Sequence, residues 1–219
     1  MSTINNKEDW YKRFFTGDEK LILNGEETDY SILQYWRLNL SAILLNMTRG
    51  GFAEFIVQCA LDRGGFDSLS EFLNGVEAYD ITGPIIPALN RNARIEVKSA
   101  ASVQMDTPDD KEPVSLQDSQ LKFSIKEAID WNGKDEIARR NNDLYVFCHY
   151  TAKYKKDYML DLKYWDFYVL PTFKIEQDPS LSKQKTISVY RLKNMGLQPC
   201  SFEKLYDQII SAVSEIPAK

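Results

Sequence analysis

The stretch from residue 94 to residue 99 constrains the fold of this chain more than any other. It reads RIEVKS, so that apolar and charged residues alternate. Successive side chains of a β-strand point to opposite faces, which turns Ile95 and Val97 toward a core. Glu96 and Lys98 then share the other face. The alternation predicts a half-buried strand that presents a carboxylate and an ammonium group side by side.

Two further acidic residues precede this strand. Asp80 is centred in a short apolar run, and Glu54 interrupts an otherwise apolar helical segment. Carboxylate oxygens are the ligands that hard divalent cations prefer, and a bound cation can activate a water. Acids and a lysine that converge on one point suit such a metal. The main-chain oxygen of Val97 could add a ligand, because it lies between Glu96 and Lys98.

This arrangement resembles the PD-(D/E)xK nuclease superfamily, which has the restriction-endonuclease-like fold. The resemblance is carried by Asp80, by the triplet EVK at residues 96–98, by Glu54 on the preceding helix and by Gln104 after the triplet, and it covers roughly residues 48–104. The chain is also similar to uncharacterised prokaryotic proteins of that superfamily. The superfamily's plan has two strands before the triplet strand, whereas only one is evident here.

The resemblance implies a Mg²⁺-dependent deoxyribonuclease that hydrolyses phosphodiester bonds, of restriction or defence type, in which Mn²⁺ can substitute. Lys98 would orient the attacking water and offset negative charge, Glu54 would reach the metal directly or through a water, and Gln104 would hydrogen-bond a phosphate or the water. The implied catalytic residues are Asp80, Glu96, Lys98, Glu54 and Gln104. The implied metal ligands are Asp80, Glu96, the carbonyl of Val97 and Glu54.

Two other function classes stay open at this stage. The first is a catalytically inactive nuclease-like module that binds DNA or a partner protein. The second is a structural α/β protein in which Asp80, Glu96 and Lys98 form a surface ion-pair network without metal affinity. His149 is the only histidine, so that neither histidine-based catalysis nor a zinc site is expected. Cleavage with added Mn²⁺ would separate a nuclease from both alternatives.

Composition sets the domain count and the compartment. A chain of 219 residues with 43% hydrophobic content predicts a single nuclease-like domain over residues 1–219, with a core at about 30–170 and helical additions at both ends. No apolar run approaches a membrane span, and the first residues lack the apolar core of a signal peptide. Three cysteines without metal-ligand spacing favour a reducing cytoplasm.

The charge balance neither requires nor excludes a nucleic-acid partner. The net charge is −5, which is unusual for a DNA-binding protein. Basic residues nevertheless cluster at Arg91 and Arg94, at Arg139 and Arg140, and at residues 153–156. Such patches can contact phosphates on an acidic protein. The resemblance implies DNA as the partner, no membrane is expected, and cleavage of both strands would favour a homodimer with two sites.

Hydrophobic periodicity places strands and helices in alternation, which predicts an α/β protein with a restriction-endonuclease-like mixed central sheet flanked by helices. The strand around residues 76–82 holds Asp80 and ends at Gly83 and Pro84, and the pair Gly50 and Gly51 joins two helices. The predicted helices are 32 to about 46, 51–62, 68–74, 134–141 and 202–213. The predicted strands are 76–82, 94–99, 121–125, 144–148 and 165–170, with 186–192 either a strand or a helix edge.

Overall fold

The computed structural model describes residues 15–68, 78–108, 113–129 and 137–218. The chain forms two compact units, Met1–Ile43 and Leu44–Lys219. The predicted start of the core near residue 30 lies within the first of them. Among the described residues, no helix has both the length and the apolar character needed to cross a bilayer.

The first unit contains a hairpin followed by a helix. Strand β1, Lys20–Leu23, pairs antiparallel with β2, Glu26–Ser31. Asn24 and Gly25 form the turn with φ values of 52° and 90°, which is the left-handed conformation that tight hairpin turns require. Helix α1, Ile32–Leu40, starts where predicted and ends before residue 46. The predicted N-terminal helical addition lies partly outside the described residues.

The second unit is built on a four-stranded mixed sheet with the order β3-β4-β6-β7. The pair β3–β4 is antiparallel, β4–β6 is parallel and β6–β7 is antiparallel, which confirms the predicted mixed central sheet. A second, two-stranded sheet pairs β5 with β8. The strand bounds are Ile81–Ile86 for β3, Arg91–Ala101 for β4, Lys122–Ser124 for β5, Leu144–Tyr150 for β6, Trp165–Pro171 for β7 and Thr186–Ser188 for β8.

Helices and the small sheet cover the central sheet. The helices are α2, Asn46–Arg63; α3, Thr172–Glu176; α4, Val189–Asn194; and α5, Phe202–Ser214. Helix α2 contacts β4, and α5 contacts both β7 and α2. Every side chain of β6 is buried, and Phe147 packs against Phe123 of β5 with the ring centroids 4.9 Å apart. The centre of the fold is therefore β6, as its unbroken run of strand-forming residues predicts.

The strand that follows Asp80 differs from its prediction. Strand β3 passes through Gly83 and Pro84, so the prediction that these residues end it is wrong. Pro84 is tolerated because β3 is an edge strand and its register with β4 shifts between Thr82 and Ile85. Asp80 lies in the bend before the strand and not at its centre. Residues 76 and 77 of the predicted strand lie outside the described residues.

Two helix predictions also need correction. Helix α2 begins at Asn46, so that Gly50 and Gly51 lie inside it and do not join two helices. Tertiary packing of the later turns against the sheet overrides the weak helix preference of glycine. In the predicted helix 134–141, Arg139 instead forms an antiparallel bridge with Ala128. The rest of that segment before residue 137, and residues 69–74 of another predicted helix, lie outside the described residues.

His149, the only histidine, is buried in β6 with 9% of its surface exposed. Its Nε2 atom has no hydrogen-bond partner in the described part of the chain. Burial lowers the pKa of the imidazole from 6.5 to about 4; Asp118 opposes this shift, and Lys193 adds to it. The folded protein therefore holds a neutral His149 at neutral pH.

This burial predicts a loss of stability in mild acid. The unfolded chain binds a proton at His149 as the pH falls below 6.5, whereas the folded chain does so only near pH 4. The stabilisation is thus present above pH 6.5 and lost as the pH falls, and we expect about 2 kcal/mol of unfolding free energy to be lost by pH 5. Chemical unfolding at pH 7 and pH 5 should show a smaller loss in His149→Gln. The same loss in both proteins would contradict this account.

Candidate functional site

Asp80 is fixed against β4 by its main chain and its side chain together. Its N–H donates to the carbonyl oxygen of Ile95 at 3.0 Å, and its Oδ2 accepts the N–H of Val97 at 2.7 Å. Asp80 directly precedes Ile81, the first residue of β3. Its carboxylate therefore takes the place of a main-chain partner for β4. The bond to the main chain of β4 therefore orients the carboxylate.

Glu96 and Lys98 lie side by side next to Asp80. The ammonium group of Lys98 donates to Oε1 of Glu96, and its Nζ lies 3.9 Å from Oδ2 of Asp80. The side chains of Lys98, Asp80 and Glu96 retain 29%, 26% and 20% of their exposure, which leaves all three half-buried but open to solvent. The structure thus brings together the three residues that the alternation in β4 and the run around Asp80 singled out.

The main-chain carbonyl of Val97 opens on the same edge of β4. The N–H and C=O groups of one strand residue point to the same neighbour, and the N–H of Val97 is turned toward Asp80. Strand β3 begins at Ile81, which lies opposite Ile95. Because the two strands are antiparallel, Val97 lies beyond this first residue and has no residue of β3 opposite it. A ligand held by Asp80 could therefore also meet the oxygen of Val97.

Glu54 approaches this group from helix α2, which packs on β4. It is half-buried, and its pKa is raised to about 7. Burial is the main cause of the shift, followed by the negative charge of Asp80, while Lys98 opposes it. The charges of Asp80, Lys98 and Glu96 therefore act on the carboxyl group of Glu54.

The cluster carries more negative than positive charge. Three carboxylates face one ammonium group, so that the formal charge is −2 when all are ionised. Burial raises the pKa of Asp80, with Lys98 and the Val97 N–H acting against it, and burial together with Asp80 raises that of Glu96. Burial alone would lower the pKa of Lys98, but the two carboxylates outweigh it and raise it. Additional positive charge would stabilise this site.

Gln104 makes its hydrogen bonds with residues outside the carboxylate cluster. Strand β4 ends at Ala101, so that Gln104 does not continue the strand face of Glu96 and Lys98. Its amide nitrogen donates to the carbonyl of Ala101 at 2.7 Å, and its oxygen accepts from Nη1 of Arg49 at 3.1 Å. In this structure Gln104 ties the end of β4 to helix α2.

The residues present fit a hard divalent cation bound mainly by oxygen. In the described part of the chain, no group of three or more His, Cys, Asp or Glu side chains is arranged to hold a metal ion. Mg²⁺, however, commonly binds through only one or two carboxylates and keeps several waters or substrate oxygens. Asp80 and Glu96 supply that number, and the carbonyl of Val97 is a further oxygen at the same edge.

Tyr145 is a neighbour of the site that the sequence did not reveal. It is the register partner of Glu96 on β6 and has 2% of its surface exposed. Burial and the negative charge of Glu96 raise the pKa of its hydroxyl. In the sequence it is one residue of a continuous apolar run, and only the register between β4 and β6 places it beside Glu96.

Comparison with protein-family models, with curated proteins and with solved structures finds no match to this chain.

Proposed function

We propose that this protein is a metal-dependent DNA endonuclease that hydrolyses phosphodiester bonds with Mg²⁺, or with Mn²⁺ in its place, in the cytoplasm. The observation that supports it best is the fixed position of Asp80. Its carboxylate is held on β4 by the N–H of Val97, and the ammonium group of Lys98 lies between it and Glu96. This set combines hard oxygen ligands with a cation at the same point of a mixed sheet.

Each residue would have a distinct task. Asp80, Glu96 and the carbonyl of Val97 would hold the cation, with Glu54 adjacent to it directly or through a water. The bound cation would bind the scissile phosphate and favour deprotonation of a water. Lys98 has a raised pKa and therefore stays protonated at neutral pH. It can donate hydrogen bonds and offset developing negative charge, but it is unsuited to accept a proton.

The cost of the cluster to stability argues against a purely structural ion-pair network. Exposed ion pairs contribute only about 0–1 kcal/mol. Here burial raises the pKa of Asp80, Glu96 and Glu54, which means that ionising these groups is less favourable in the fold than in water. Groups with raised pKa values that share a partly open site are typical of functional sites. An inactive DNA-binding or protein-binding module remains the second candidate, because it could retain the same cluster.

The proposal is tested by incubating the protein with single-stranded, duplex and branched DNA, with and without Mg²⁺ or Mn²⁺. We expect metal-dependent cleavage of at least one of these substrates. Binding of DNA without cleavage under any of these conditions would favour the inactive module. Sedimentation of the protein with and without duplex DNA would test the further proposal of a homodimer.

Glu54→Gln should lower the cleavage rate by about a hundredfold and leave the fold intact, because it removes a charge beside the metal ligands and preserves the side-chain shape. Its melting temperature should not fall, since burial and the neighbouring carboxylates disfavour the charged form of Glu54. Asp62→Asn is the matched control: Asp62 is exposed on the same helix. If both variants cut at the wild-type rate in single-turnover assays, Glu54 has no part in the reaction.

A further inference from the structure

A cavity of about 440 Å³ lies at the end of the central sheet where β4 and β6 begin. Among the described residues, four arginines and two acidic side chains, Asp143 and Glu176, line it. The described ionisable lining therefore has a formal charge of +2, although the whole chain carries −5. The arginines are Arg91, Arg94, Arg139 and Arg140.

Two of the arginines hold the wall of the cavity in place. Arg91 forms two hydrogen bonds with the carboxylate of Asp143, each 2.7 Å long. Arg140 is buried, with 8% of its surface exposed. It donates at 3.0, 3.0 and 3.1 Å to the carbonyl oxygens of Ile125, Ser182 and Gln184. These contacts make the wall rigid before any ligand binds.

The other two arginines are exposed to solvent. The guanidinium carbon of Arg94 lies 5.9 Å from the centre of the Tyr79 ring, and Nε of Arg139 donates to Oδ1 of Asn141 at 3.1 Å. An exposed guanidinium group can bind a phosphate by two parallel hydrogen bonds. The rigid wall and the two exposed arginines together form a site suited to a phosphate.

The cavity adjoins the carboxylate cluster. Arg94 precedes Glu96 by two positions on the same face of β4, which corresponds to about 6.6 Å along a strand. Tyr145 connects the two regions from β6: it is the register partner of Glu96, and Asn142 of the cavity wall precedes it by three residues. A strand of nucleic acid that crosses the cluster can therefore reach the arginines.

The remaining lining fits the rest of a nucleotide. Leu89, Phe173 and Ile216 contribute apolar surface next to the arginines. The volume lies within the range of sites that bind small molecules, which is about 300–1,000 Å³. An aromatic ring and aliphatic side chains can contact a base or a sugar, whereas a simple inorganic anion would leave most of this space unused.

We propose that the arginine-lined cavity binds a second phosphate of the DNA strand, adjacent to the one that the carboxylate cluster cuts, through Arg94 and Arg139. This inference rests on the proposed nuclease function. The phosphate is either the terminal monoester of a strand end or an internal diester. A terminal phosphate would make the protein cut at a fixed distance from an end, and an internal one would position a continuous strand.

Binding of a deoxynucleoside monophosphate, measured by calorimetry in EDTA, tests the cavity without metal or cleavage. We expect millimolar binding or tighter by the wild type, and roughly tenfold weaker binding by Arg94→Gln and by Arg139→Gln. Arg63→Gln is the matched control, because Arg63 is an exposed arginine at the end of α2, outside the cavity. No binding by the wild type, or an equal loss in the control, would overturn the proposal.

Oligonucleotides with a 5′-phosphate, a 3′-phosphate or neither, bound in EDTA, distinguish the two sources. Preference for one phosphorylated end, lost in Arg94→Gln, assigns a terminal phosphate. Equal affinity for all three, weakened about tenfold in Arg94→Gln, assigns an internal phosphate. If Arg94→Gln leaves the affinities unchanged, the proposal that this cavity binds a phosphate is refuted. A protein that shows the arginine dependence but never cuts DNA would refute the nuclease proposal alone.

Discussion

Replacing Lys98 by methionine is expected to slow DNA cleavage at least about a hundredfold, because electrostatic contacts of this kind are worth roughly 3–4 kcal/mol in the transition state. Methionine keeps most of the aliphatic stem and deletes the ammonium group. Asp80 and Glu96 then lose the neighbouring positive charge of the ammonium group. Mg²⁺ should therefore bind at least as tightly as in the wild type. DNA binding should persist, since the lost contact acts mainly after the substrate has bound.

Single-turnover cleavage at saturating protein is the measurement for Lys98→Met. Lys122→Met serves as the control, because Lys122 is an exposed lysine on strand β5. This substitution removes the same charge as Lys98→Met. Cleavage by Lys98→Met within a few-fold of the wild type would remove Lys98 from the mechanism. A slow rate accompanied by an equal loss in the control would point to a general effect of charge.

Asp80→Asn should have the larger effect, with cleavage reduced by about a thousandfold and the response to metal lost. Asparagine retains a carbonyl oxygen that can accept the N–H of Val97, so the bond that holds this side chain on β4 is kept. Only the charge that a cation needs is removed. In the wild type, Mg²⁺ or Mn²⁺ should raise the melting temperature, because a ligand that binds only the folded state stabilises it.

The melting temperature of Asp80→Asn should not change with Mg²⁺ or Mn²⁺, and the same is expected of Glu96→Gln. Asp166→Asn is the control, because Asp166 is a half-buried aspartate on β7 whose pKa is also raised by burial. An equal rise of the melting temperature in the wild type and in Asp80→Asn would show that any metal binds elsewhere.

The parts of the fold that the sequence predicts well are those with a dense local pattern. Strand β6 and helix α5 appear within one or two residues of their predicted bounds, since runs of strand formers and helical spacing act locally. Strand β3 was predicted to stop at Pro84, because proline is unfavourable in most strands, and only its place at the sheet edge permits it. Edge position follows from long-range pairing, which a local pattern does not contain.

The same distinction between local pattern and long-range pairing applies to the candidate site. Alternation alone places Glu96 and Lys98 on one face of β4. The bond between Asp80 and the N–H of Val97 depends on where β3 begins opposite β4, and the position of Gln104 depends on where β4 ends. The arginine-lined cavity could be noticed in the sequence only as separate basic pairs. Its assembly requires four distant segments to meet at one end of the sheet.

The most direct test of the proposed nuclease function is a cleavage assay in Mn²⁺. The wild type and the double variant Asp80→Asn/Glu96→Gln are each incubated with closed circular duplex DNA, with a single-stranded DNA and with a branched DNA. We predict nicked, linear or shortened products from the wild type with at least one of these substrates, no products in EDTA, and none from the double variant. Intact DNA throughout with the wild type, or equal cleavage by the double variant, would contradict it.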